Sequence, residues 1–212
     1  MVYINEHQPF PDYSYADDDG LLAVGADLSV NRLLDAYSKG IFPWYNDGQP
    51  VLWWSPDPRM VLKPQQIYIS KSMRKVLRSN LFEVTYNTAF IDVMLNCKRI
   101  KREGQVGTWI TNEMLEAYQK LHLLGVAESI EVWQNGQLVG GLYGLNLKDK
   151  RVFCGESMFA KVSNASKIAL ISLAQKLELL NYKLIDCQVY TEHLDSMGAL
   201  EISRAEFLSY LQ

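Results

Sequence analysis

The alternation of apolar and polar positions is clearest in the second half of the chain. Between residues 165 and 180, Ile168, Leu170, Ile171, Leu173, Ala174 and Leu177 recur at helical spacing and predict a long helix with a broad buried face. Ahead of it, residues 129–134 and 137–145 read as two strands joined at Asn135-Gly136, a dipeptide that tolerates the left-handed backbone of a two-residue hairpin. Gly140-Gly141 in the returning strand predicts a bulge or a close backbone approach. A further strand is expected over 151–159 and a short apolar one over 184–188. Ser203-Arg204-Ala205-Glu206 has capping-box spacing for a last helix carrying Phe207, Leu208 and Leu211. Two antiparallel hairpins, a crossover helix and a returning strand predict a mixed α/β fold with a largely antiparallel sheet flanked by helices.

The first half is more broken. Met60-Val61-Leu62 and residues 82–86 are strand candidates. Ser29 can cap a helix over about 30–39, which Gly40 would close; Ser70 opens one carrying Lys71, Arg74, Lys75 and Arg78. Thr88 is placed to cap another reaching Cys97, with Phe90, Val93 and Met94 on its buried stripe, and Thr111 opens one that Gly125 closes. Between these lie Gly40-Ile41-Phe42-Pro43-Trp44-Tyr45 and Trp53-Trp54-Ser55-Pro56-Asp57-Pro58-Arg59, where dense prolines predict irregular connections. Three of the five tryptophans sit there, either as a mini-core or as a wall of aromatic faces for stacking. The change of texture divides the chain into a small aromatic- and Pro-rich unit, 1–60, and a main domain, 61–212.

Charge sharpens this picture. The total is only −3, but residues 1–58 set Arg32 and Lys39 against nine acids, whereas 59–104 set ten Lys and Arg against Glu83, Asp92 and Glu103. Such a basic middle segment is either a solvated helix face or a site for a polyanion. Cys97, Cys154 and Cys187 are odd in number and scattered, and His7, His122 and His193 are isolated, so neither a disulfide framework nor a metal site is expected. The absence of a long apolar run or a leader pattern points to a cytoplasmic chain without a membrane partner.

The stretch Leu184-Ile185-Asp186-Cys187-Gln188 is the chemically unusual one. Simple alternation puts Asp186 and Gln188 on one face of the sheet and Ile185 and Cys187 on the other. Burying a carboxylate is costly unless it is paired, so an apolar strand ending in an acid and an amide is either a loop cap or a reaction centre.

Many short motifs, in order and over nearly the whole chain, carry a family resemblance. They include Gly20-Leu21-Leu22-Ala23-Val24-Gly25, the two Pro- and Trp-rich stretches above, Gly107-Thr108-Trp109-Ile110, Ala117-Tyr118, Leu138-Val139-Gly140-Gly141-Leu142-Tyr143-Gly144, Phe153-Cys154-Gly155-Glu156-Ser157-Met158-Phe159, Ala165-Ser166-Lys167 and the 184–188 strand. On these residues the chain resembles the leucyl/phenylalanyl-tRNA–protein transferases. It departs from them at Gly25-Ala26-Asp27, where a second glycine is usual, and at Ile202-Ser203-Arg204, where a proline is usual.

The resemblance implies a small N-terminal domain joined to an N-acetyltransferase-like domain. It implies transfer of leucine, phenylalanine or methionine from aminoacyl-tRNA to proteins beginning with Arg or Lys, which marks them for degradation by the N-end rule. It implies a monomer, and no cofactor or metal. Asp186 and Gln188 then belong to the reaction centre and Glu156 reads the cationic acceptor side chain. Leu142, Phe153 and, less centrally, Ile185 form the donor pocket. Tyr37, Trp44, Trp109 and Tyr118 surround the terminal adenosine and the entrance, with core packing as the rival role of each. Lys71, Arg74, Lys75, Arg78, Lys98, Arg99, Lys101 and Arg102 face the acceptor stem. The competing readings are an acetyl-CoA-dependent acetyltransferase, which lacks its Gly-x-Gly turn in Lys161-Val162-Ser163-Asn164-Ala165-Ser166-Lys167, a Cys187-nucleophile transferase, and a non-catalytic RNA-binding module. His193 is a core histidine or a proton shuttle.

Overall fold

The hairpin at Asn135-Gly136 forms as its sequence predicts. Both residues take the left-handed backbone and join β7 (Ala127–Gln134) to β8 (Gln137–Leu147) in antiparallel register. The computed structural model describes residues 2–100 and 110–212. Within these, β7 and β8 belong to a seven-stranded sheet with β5 (Arg59–Leu62), β6 (Glu83–Tyr86), β9 (Val152–Ala160), β10 (Leu184–Gln188) and β11 (Leu200–Ile202), in the order β11-β5-β10-β9-β8-β7-β6. All pairings in this sheet are antiparallel except β9 with β10, which α5 (Ala165–Leu179) connects. The mixed, largely antiparallel sheet is therefore as expected.

The glycine pair does both things its sequence allows. The β7–β8 register shifts beside Gly140, and a Cβ on Gly140 would lie 2.5 Å from that of Ala165, so the glycine lets α5 start directly against β8. Six apolar residues of α5 expected inside are buried, with Ile185, Leu142 and Phe153 in the same cluster. The opposite face of the sheet packs α3 (Phe90–Arg99), α4 (Asn112–Leu123) and the N-terminal segment.

That segment is more regular than its prolines imply. β1 (Val2–Ile4), β2 (Leu21–Gly25), β3 (Phe42–Pro43) and β4 (Leu52–Trp54) form a second sheet in the order β1-β2-β4-β3, beside α1 (Val30–Ser38). The irregular connection expected for both proline-rich stretches is corrected at these residues. Pro43 closes the two-residue β3 on an edge, and β4 ends before Pro56, so neither proline interrupts a central ladder. Trp53 is fully buried, with its indole N–H on the Gly25 carbonyl at 2.8 Å, and supplies the mini-core.

Capping follows expectation at Ser29, Ser70, Thr111 and Ser203, which cap α1, α2 (Lys71–Leu77), α4 and α7 (Arg204–Ser209). Thr88 does not cap α3, which starts one residue later. The buried Glu131 of β7 takes the Thr88 hydroxyl and the Thr88 and Ala89 N–H groups, and its charge suits the helix N-terminus better than a hydroxyl would. A short α6 (Glu192–Asp195) follows β10.

Candidate active site

The site lies where two parallel strands part. β9 and β10 pair only as far as Cys154 and Asp186, although β9 continues to Ala160 and β10 to Gln188. The gap opens into a cavity of about 440 Å³, within the roughly 300–1,000 Å³ of small-molecule sites. Leu142, Met158, Leu170, Leu173 and Ile185 make one side of it apolar, and Glu156 and Gln188 bring polar groups to it. A pocket with an apolar wall and a few convergent polar groups suits an apolar side chain attached to a reactive polar centre.

Alternation fails at the end of β10, for an identifiable reason. The β10–β5 register shifts between Asp186 and Gln188, and Gln188 takes φ +60°, so Cys187 is the extra residue of a bulge. Ile185 and Cys187 line the cavity, Asp186 does not, and the bulge brings Gln188 to the same cavity. Ile185 and Cys187 lie together opposite Asp186, as expected, but the expectation that Gln188 shares the Asp186 face is corrected by this bulge, and the cavity lies on the Ile185–Cys187 side. Burial pushes the Cys187 thiol far above its usual range, so it stays protonated despite its position.

Asp186 is instead bolted to Arg59. Its Oδ1 accepts from Arg59 Nε at 2.8 Å and its Oδ2 from Nη2 at 2.7 Å, with both side chains 1% exposed. Asp186 Oδ1 also accepts the Gln188 backbone N–H at 3.1 Å, closing an Asx-type turn that holds the left-handed residue. Such a conformation costs a non-glycine residue about 1–2 kcal/mol. The Arg59 guanidinium is sandwiched 4.8 Å from the Phe42 ring and 4.6 Å from that of Phe207. Gln188 is itself buried, and its Nε2 has no partner among the described residues, which leaves a donor for a ligand.

Glu156 reaches the cavity from β9. Tyr37 of α1 donates to its Oε1 at 2.7 Å and Tyr118 of α4 to its Oε2 at 3.1 Å, and the two hydroxyls touch each other. Burial raises the Glu156 carboxyl to about 7, against the lowering effect of the tyrosines. Burial beside Glu156 also pushes both phenols well above their ordinary value, so they remain donors. Tyr37 and Tyr118 are 1% and 0% exposed, so neither has a ring face free to stack a base, and that expectation is corrected. They hold the carboxylate.

Trp44 does line the cavity. It is 37% exposed and tilted against Trp54, whose indole N–H it accepts on its carbonyl at 2.7 Å. Leu142 and Ile185 are on the cavity wall as expected; Phe153 is not, being packed behind it against Gly144. His193 of α6 also faces the cavity, its Nε2 has no partner among the described residues, and burial holds its imidazole below the ordinary value. Trp109, Lys101 and Arg102 lie outside the described residues.

Lys71, Arg74, Lys75 and Arg78 are exposed and line a shallow groove along α2. Lys98 and Arg99, in the last turn of α3, do not line it, and Lys98 bonds Asn112 at 2.6 Å. Among the described residues no cluster of His, Cys, Asp and Glu could hold a metal, and no helix is long and apolar enough to cross a membrane.

The sequence reading missed Arg59 as a site residue, and Met158, Leu170 and Leu173 as cavity wall. An arginine opening the apolar run Met60-Val61-Leu62 was a usable signal, since a buried guanidinium requires a buried acid. The three wall residues carried none, because they come from β9 and α5 and converge only in the fold.

Comparison with known proteins is unambiguous in sequence. A family model described as leucyl/phenylalanyl-tRNA protein transferase matches residues 61–212, and the model of that family's N-terminal domain matches residues 26–57. The chain is 62% identical over 211 residues to a leucyl/phenylalanyl-tRNA–protein transferase of Christiangramia forsetii, covering 100% of both, and 59% identical over 212 residues to one of Flavobacterium johnsoniae, covering 100% and 99%. Among solved structures, an aminoglycoside acetyltransferase from a soil metagenome aligns at TM-score 0.41 and 13% identity, covering 55% of this chain and 84% of the other. A GCN5-related N-acetyltransferase from Kribbella flavida aligns at TM-score 0.41 and 7% identity, covering 80% and 60%.

Proposed function

Because the chain belongs to the leucyl/phenylalanyl-tRNA–protein transferase family, and so transfers leucine or phenylalanine from tRNA to protein N-termini, we propose that its acceptors begin with Arg or Lys and that methionine is a third donor. Glu156 reads the acceptor's cation, and the apolar wall around Leu142, Met158 and Ile185 takes the donor side chain. Pairing a guanidinium with a carboxylate whose oxygens are already fixed by two tyrosines favours charge-assisted, two-point recognition.

The reaction is an attack of the acceptor's α-amine nitrogen on the ester carbonyl carbon. A C–N bond forms, the C–O bond to the tRNA ribose breaks, and the amine's proton ends on the departing hydroxyl. An α-amine titrates near 7.7–8.0, so on the order of a tenth is uncharged at neutral pH and no strong base is needed. Positioning and charge stabilisation carry the rate. The free Gln188 Nε2 donor serves the carbonyl oxygen as its charge grows, and the amide oxygen orients the amine. Trp44 offers a partly open ring for the terminal adenosine, and the α2 groove offers Lys71, Arg74, Lys75 and Arg78 to acceptor-stem phosphates. We further propose a cytoplasmic monomer, divided near residue 60 into the two expected units, whose products are directed to proteolysis.

The observation that supports this reading most is that Gln188 and Glu156 share one apolar cavity. It is tested by incubating the protein with labelled phenylalanyl-tRNA and peptides that begin with Arg or with Ala, with no nucleotide or metal added. Label is expected on the Arg peptide alone. Equal labelling of both removes the proposed acceptor selection.

A further inference from the structure

The reading above gives Gln188 the contact with the reacting atoms and leaves open what Asp186 does. We infer that Arg59 is a positioning residue of the transfer reaction: by clamping Asp186 it holds the bulge that turns the Gln188 amide into the cavity. This inference rests on the proposed role of Gln188.

Each link is a contact. The guanidinium occupies both Asp186 oxygens, and Oδ1 still takes the N–H of Gln188 two residues on. Asp186 is fully buried and does not line the cavity, whereas its two successors, Cys187 and Gln188, do. An acid in this setting has no exposed lone pair with which to meet an incoming amine. Its negative charge is matched by Arg59 at hydrogen-bond distance, so it is not free to compensate charge on the substrate. What the carboxylate can do is fix a backbone N–H, and through it the left-handed turn at Gln188.

Arg59 is in turn fixed from three sides. It is the first residue of β5, which pairs with β10 on one edge and β11 on the other. Phe42 from the N-terminal sheet covers one side of its guanidinium and Phe207 from α7 another. The bolt therefore ties the reaction strand to the N-terminal sheet and to the C-terminal helix. A shift of about 1 Å in the reacting groups can cost on the order of 10²-fold in rate, so a bolt at this place affects turnover more than binding.

Charge removal from both partners at once provides the test. Asp186→Asn leaves the buried guanidinium unmatched, while Arg59→Gln with Asp186→Asn makes the pair neutral and keeps an oxygen that can accept the Gln188 N–H. Single-turnover transfer from phenylalanyl-tRNA to an Arg-starting peptide is measured per tRNA-binding-competent enzyme. The single variant is expected to lose on the order of 10²-fold in rate constant, with KM for both substrates within about threefold of wild type, and the double variant to recover at least about tenfold of that loss. A double variant that folds and binds tRNA yet remains as slow as Asp186→Asn overturns the inference, because the acid's charge is then needed for itself. Should the double variant not fold, Arg59→Lys keeps the charge and loses the fork; a rate constant equal to wild type overturns the inference, and a loss confined to the rate constant supports it. A wild-type enzyme that leaves the peptide unlabelled contradicts the proposed function instead.

Discussion

Arg59 and Asp186, separated by 127 positions in the chain, meet at 2.8 and 2.7 Å in a two-pronged ion pair that is 1% exposed. The pair joins β5 to the strand that ends in Gln188. Removing one partner of a buried pair strands the other charge, at a cost of about 3–5 kcal/mol. Asp186→Ala should therefore lower the free energy of unfolding in urea by roughly that amount. A change below about 1 kcal/mol, as for an exposed pair, contradicts the burial described here.

Glu156 gives the enzyme a pH response. Its carboxyl is raised to about 7 by burial, so the unliganded site loses its negative charge as pH falls through neutrality. The KM for an Arg-starting peptide should rise about tenfold between pH 8 and pH 6 relative to Glu156→Gln, which cancels the titration of the peptide's own amine. The stability sign is opposite to that of an ordinary ion-paired acid. The native state binds this proton more tightly than the unfolded chain, whose Glu titrates near 4.5, so the group's contribution is lost as pH rises from 4.5 through 7. Glu156→Gln should gain stability over wild type across that window, and urea midpoints that run parallel at pH 4.5 and pH 8 would rule out the shift.

The α2 groove predicts salt-dependent tRNA binding. Replacing Arg74 and Arg78 by Ala should weaken binding and reduce the slope of log affinity against log salt by about one to two, with the peptide KM unchanged. An unchanged slope removes α2 from the tRNA interface.

Cys187 lines the cavity, but its thiol is held protonated by burial. Cys187→Ala should retain transfer within about threefold, since no covalent step uses a thiol that does not ionise. Loss on the scale of a missing nucleophile would contradict the direct attack of amine on ester.

Much of the fold was legible because its periods are strong. The α5 stripe and the Asn135-Gly136 hairpin report helix and strand spacing directly, and Gly140-Gly141 marked where α5 approaches β8. The N-terminal sheet was not legible, since two- and three-residue strands such as β3 and β4 are too short to show alternation and carry prolines at their margins. At α3 a hydroxyl in the right position was outcompeted by Glu131, a residue of a distant strand. The site was half visible. Residues 184–188 and Glu156 stood out as polar groups in apolar runs, but the cavity opens on the Ile185–Cys187 side of β10, and a bulge after Asp186 brings Gln188 round to it. Tyr37 and Tyr118 were noticed as aromatics, yet their function lies in their hydroxyls.

The central claim is that Gln188 acts on the reacting atoms and not on tRNA affinity. Single-turnover transfer from labelled phenylalanyl-tRNA to an Arg-starting peptide, measured beside the dissociation constant of the aminoacyl-tRNA, tests it directly. Gln188→Ala is expected to lower the transfer rate constant on the order of 10²-fold while the dissociation constant stays within about threefold. A transfer rate within about threefold of wild type, or a loss explained wholly by weaker tRNA binding, contradicts the claim.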